Sequence, residues 1–105
     1  MVIVEIRDGH TDRSVLADVT VEGDLLLGGS GSSSWLAAQT GRSQYAYFYM
    51  VKAKRVPQVC ALLGVTEDEL LPAMRALLAP HGIGASALWR AWLQANDVAW
   101  VFWVQ

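Results

Sequence analysis

His10 sits between Asp8 and Asp12, and an imidazole beside carboxylates is a workable general base. His81 stands in a second break, Pro80-His81-Gly82, and Cys60 is the single thiol. A thiolate paired with an imidazole would attack an electrophilic carbon. Cys60, however, shares its spacing with Val59, Leu62 and Leu63, which reads as a small core residue rather than a nucleophile. Two histidines and a turn of aspartates fall short of a metal-ligand spacing. The residues therefore assign no catalytic group, no metal ligand and no cofactor.

Gly28-Gly29-Ser30-Gly31-Ser32-Ser33-Ser34 follows an apolar run and precedes a candidate helix. Backbone amides in that setting can cradle phosphate. Gly29-x-Gly31 is followed by no P-loop lysine and by no acid at ribose distance. The segment reads as a mobile surface loop, with a small-molecule or nucleotide site on Gly28–Ser34 as the alternative function.

Two features bear on nucleic acid. Lys52-Ala53-Lys54-Arg55 follows an aromatic strand and could track an RNA backbone beside stacking tyrosines. Val56–Leu77 resembles a helix-turn-helix segment in its small Cys60, Gly64 and apolar Val59, Leu63, Val65 and Leu70. Its second helix opens Thr66-Glu67-Asp68-Glu69, which would set three carboxylates against phosphates. Eight Lys plus Arg against ten Asp plus Glu, for a net charge of -2, is likewise the wrong sign. The first feature reads as a solvated strand end and the second as an ordinary helical hairpin. A small oligomeric nucleic-acid regulator remains a further alternative.

The aromatic content is the least ordinary feature. Five tryptophans stand with three tyrosines and two phenylalanines, more than a small core readily holds. Trp and Tyr dominate binding hot spots, so part of this set should meet a partner. Charge is uneven too: residues 1–24 hold six acids and two bases, whereas 41–55 hold four bases and no acid. The candidate partner-binding residues are Asp8, Asp12, Asp18, Glu22, Asp24, Tyr45, Tyr47, Tyr49 and Trp35.

The elements that must position these groups follow from periodicity. Val2, Val4 and Ile6 alternate with polar neighbours and predict a first strand, ended by the turn Asp8–Asp12. Val15–Val21 predicts a second, and Glu22-Gly23-Asp24 a hairpin back through Leu25-Leu26-Leu27. A serine cap predicts a short helix through Trp35–Gln39. Gln44–Arg55 reads as a long strand with Tyr45, Tyr47, Tyr49 and Val51 on one face and Ala46, Phe48, Met50 and Lys52 on the other. Pro57–Leu63 is a helix stopped by Gly64. Thr66 and Glu69 form a capping box for a helix through Leu70, Met74, Leu77 and Leu78. A last helix carries Leu88, Trp89, Trp92 and Leu93. Val98–Val104, apolar on both faces, predicts an interior strand next to the tyrosine strand, with Trp100 and Phe102 buried. The expected fold is a single α+β domain over residues 1–105. Its sheet is mixed or mainly antiparallel, with an N-terminal meander, helices packed on one face and the C-terminal strand in the sheet.

With 105 residues, 53% hydrophobic and 17% charged, the chain has the composition of one packed domain and not of a disordered segment or coiled coil. One cysteine allows no internal disulfide. No apolar run approaches the roughly 20 residues of a membrane helix. Glu5 interrupts the N-terminal apolar run, so no secretory signal is read there. The expectation is a cytoplasmic protein with no membrane contact.

A compact, mildly acidic, aromatic-rich chain without catalytic motifs is similar in profile to small bacterial immunity proteins of toxin/immunity (contact-dependent growth inhibition type) systems. That resemblance rests on no motif and carries no site residues over. It implies a non-catalytic antitoxin that covers the active site of a cognate, basic, nuclease-type toxin. It leaves homo-oligomerisation open.

Overall fold

The computed structural model describes residues 1–7, 11–33 and 44–104. Five strands alternate in direction: β1 (Val2–Arg7), β2 (Thr11–Val19), β3 (Leu25–Ser33), β4 (Gln44–Val51) and β5 (Val101–Val104). They form one antiparallel sheet in the order β1-β2-β3-β4-β5. Between β4 and β5 the chain makes α1 (Val56–Leu63), α2 (Leu70–Leu78) and α3 (Ala85–Ala95), joined by short 3-10 turns. The fold is a single α+β domain with its C-terminal strand in the sheet.

Side chains alternate across a strand, so register sorts the sheet into two faces. Val15, Ala17, Leu25, Leu27 and Val51 share one face and are buried. Against them pack Val56, Val59, Leu70, Met74, Leu78, Trp89 and Leu93 from the helices, giving one contiguous core. Trp89 is its largest fully buried side chain, stacked on the Trp92 ring at 5.1 Å.

The helical half follows its punctuation. Pro57 lies in the first turn of α1, where a missing N–H leaves no bond unmade, and Gly64 closes the helix at φ 71. The Glu69 carboxylate accepts hydrogen bonds from the Thr66 N–H at 3.3 Å and the Thr66 hydroxyl at 2.9 Å. That arrangement opens a 3-10 turn leading into α2. Gly82, at φ 53, kinks the chain between α2 and α3.

The sheet departs from expectation in four places. β2 begins at Thr11, before the expected Val15, and ends at Val19. The expected loop at Gly28–Ser34 is, through Ser33, the second half of β3 and the middle strand of the sheet. Its glycines make room for rings. A Cβ at Gly28 would lie 2.9 Å from the Phe48 ring, and one at Gly29 would collide with the Tyr47 ring. Small residues are thus required opposite large ones, which composition alone reports as a loop. β4 ends at Val51 instead of Arg55, because Ala53–Arg55 turns into a 3-10 helix. Finally, β5 spans only Val101–Val104 and lies at the sheet edge, with Phe102 49% and Val104 64% exposed. Trp100 is half-buried and Val98, ahead of the strand, is buried. β5 is apolar on both sides because each side leans on β4 rings: Phe102 on Tyr49 at 4.8 Å and Trp103 on Phe48 at 5.1 Å. The helix expected at Trp35–Gln39 lies outside the described residues.

Candidate functional site

The helices occupy one face of the sheet, and the register places the remaining side chains on the other. One row across that open face runs Val2, Leu16, Gly28, Phe48, Trp103, and the next runs Asp18, Leu26, Met50, Val101. Val2, Leu16 and Val101 are each between 44% and 46% exposed. Phe48, Met50, Leu26 and Trp103 are half-buried. Because Gly28 presents no side chain, the Phe48 ring lies down over it and stacks on Trp103 with 25° between planes. A cleft of about 290 Å³ lies beside this pair, lined by Leu16, Asp18, Leu26, Gly28, Ser30 and Phe48. An apolar floor of this kind, unshielded by any described helix, is where another molecule gains most by excluding water.

Acids share the open face: Asp18 ends the second row, and Asp12 lies four residues from Leu16 along β2, beyond the Ser14–Ser30 pair. Asp12 and Asp18 stand on β2, both exposed and both in register with open-face positions of β3. The Asp18 carboxylate accepts a hydrogen bond from the Val19 N–H at 2.8 Å, which fixes its orientation. Glu22 is exposed in the turn that follows. Asp24 has a different task. Its carboxylate accepts from the Ala53 N–H at 2.7 Å, tying the β2–β3 turn to the 3-10 turn after β4. Asp8, His10 and Trp35 lie outside the described residues.

Tyr47 and Tyr49 point to the helix face, away from Asp12 and Asp18. The Tyr47 hydroxyl and the Ser86 hydroxyl of α3 share a hydrogen bond of 2.7 Å. Tyr47, Tyr49 and Phe102 form an edge-and-tilt cluster with centroids 4.8–6.4 Å apart. Between these rings and α3 runs an open groove of about 500 Å³, bordered also by Ser86, Arg90 and Gln94. Tyr45 is in register with Gly31 on β3. The structure thus divides residues expected to act together: Asp12 and Asp18 lie on one face, and Tyr47 and Tyr49 on the other.

The apolar residues of the open face are what sequence reading missed. Leu16, Leu26, Phe48, Met50 and Trp103 come together only once Gly28–Ser33 is read as a strand. The signal was present as an aromatic-rich strand whose partner is glycine-rich.

The remaining groups offer little chemistry. Cys60 is buried, and desolvation pushes its thiol above the usual range, with the Glu67 carboxylate adding to the effect. His81 is exposed in the 3-10 turn before α3. Among the described residues, no group of three or more His, Cys, Asp or Glu is placed to hold a metal, and no helix is long and apolar enough to cross a membrane. Glu67, Asp68 and Glu69 are exposed at the start of the second helical unit, where a groove-reading helix would need cations. The backbone of Gly28–Ser32 is paired on both sides, with β2 and with β4, so its amides are not gathered around an anion.

Comparison with protein-family models, with curated proteins and with solved structures finds no match.

Proposed function

We propose that this chain is a non-catalytic protein-binding domain, an immunity-type inhibitor that docks a basic, nuclease-type toxin on the open face of its sheet. The observation that supports the reading is the apolar floor of Leu16, Phe48, Met50 and Trp103, with Asp18 at its end and Asp12 further along β2 on the same face. The two kinds of residue do different work. Rings and aliphatic side chains, once desolvated, slow dissociation, and carboxylates at the border speed the encounter with a cationic surface. A nuclease active site must attract phosphate, so its rim is basic and complementary to those carboxylates.

The test is inhibition. The chain is mixed with a candidate cognate nuclease domain, and nucleic-acid cleavage is followed. Stoichiometric loss of cleavage, relieved by Leu16→Asp, supports the reading. Full cleavage in the presence of excess chain overturns it. A cytoplasmic site of action belongs to the same proposal, since an immunity protein must meet its toxin where the toxin acts.

A further inference from the structure

The two edges of the sheet differ. β1 carries Glu5 and Arg7 and has a register irregularity between Val2 and Val4, and it packs against α2 and the 3-10 turn Ala79–Gly84. Charges, bulges and cover are the ordinary means of stopping an edge from pairing. Among the described residues, β5 shows none of them. Its sequence is Val-Phe-Trp-Val, and no charged residue stands anywhere in 98–105. Val101, Phe102 and Val104 are 46%, 49% and 64% exposed, and among the described residues no strand pairs with β5 on its outer side.

We infer that two copies of this chain pair β5 to β5, antiparallel about a two-fold axis normal to the sheet, making one ten-stranded sheet. Three observations select a second copy as the occupant. The first is symmetry. That axis keeps each face on its own side, so antiparallel partners must be residues of like parity, as when Phe102 faces its own copy and Val101 faces Trp103 of the other. β5 satisfies this because each face is apolar along its whole length. The second is charge. An uncharged strand gives a cationic partner nothing to recognise, while the nearest open-face acids sit on β2, three strands away. Across the joined sheet the two β2 strands stand about 34 Å apart at the ordinary strand spacing, well beyond the screening length of about 8 Å. The third is the groove of about 500 Å³ that Phe102 borders together with α3. A second Phe102 at cross-strand distance covers the exposed half of the first. Pairing also joins the two open faces, because Val101 of one copy meets Trp103 of the other.

Sedimentation equilibrium of the purified chain over a concentration series tests this. Wild type should move from one to two chain masses, and the outer amides of Val101–Val104 should exchange with deuterium more slowly as concentration rises. Val104→Lys, at an exposed position, should raise the dimer dissociation constant roughly tenfold or more while leaving the circular dichroism unchanged. The exchange measurement needs no variant, so a misfolded mutant does not spoil the test. A wild type that stays monomeric to millimolar concentration overturns the proposal, including the case in which β5 takes a foreign strand instead. So does a dimer that survives Val104→Lys but is lost in Leu16→Asp, since that dimer would pair open faces. Toxin inhibition by a strictly monomeric chain would remove this inference and leave the proposed function standing.

Discussion

Gly29 and Tyr47 occupy opposite positions on β3 and β4, and the ring fits because the glycine has no Cβ. The ring cannot simply swing away, since its hydroxyl is bonded to Ser86 of α3. Gly29→Ala should therefore destabilise the protein by about 1–3 kcal/mol in urea unfolding, through overpacking in the middle of the sheet. A loop glycine would show no such loss. Tyr47→Phe should cost about 1 kcal/mol by removing one partly buried hydrogen bond. At Cys60 the burial that raises the thiol also shields it, so iodoacetamide should label the folded chain far more slowly than the chain in urea. The sign with pH follows. A thiol held protonated in the native state adds stability below the unfolded thiol's ionisation, near pH 9. That stability is lost as pH rises beyond it, and the extra alkaline loss should be absent in Cys60→Ala. Sequence already indicated a buried Cys60 from its apolar spacing. The glycines were misread because a small residue required opposite an aromatic looks, in isolation, like one allowed in a loop.

At the scale of elements, the helices were legible and the sheet only partly so. Pro57, Gly64, the Thr66–Glu69 pair and Gly82 mark helix ends through local chemistry, and local chemistry is visible in sequence. Thr66→Ala should cost about 1 kcal/mol, read from the thermal midpoint, because a cap acts wherever the helix is placed. Strand position is a non-local property. Val98–Val104 was expected in the sheet interior from its two apolar faces, whereas β5 lies at the edge and spends those faces on β4 rings. The contrast is measurable. Trp89→Ala, in the core, should lose about 3–5 kcal/mol, and Phe102→Ala, half exposed, clearly less. Equal losses would mean that β5 is buried after all.

Over the whole molecule, a meander with all its helices inserted before the last strand leaves one sheet face bare among the described residues, and this arrangement carries the functional account. The fold class and the neighbouring of β4 and β5 could be read from periodicity. The bare face could not, since it depends on which parity of each strand the helices cover. Acids near the N-terminus were legible as a charged segment, but their separation from Tyr47 and Tyr49 is set by register alone. Calorimetric titration of a candidate cognate nuclease domain with variants of the two faces tests this most directly. Phe48→Ala and Leu16→Asp should each weaken binding roughly tenfold or more, the latter guarding against a folding defect in the former. Asp12→Asn with Asp18→Asn should flatten the salt dependence of association. Leu62→Ala, at an exposed position on α1, should leave the Kd unchanged. Binding that is indifferent to Leu16 and Phe48 but lost on changing Leu62 would place the partner on the helices and contradict the account.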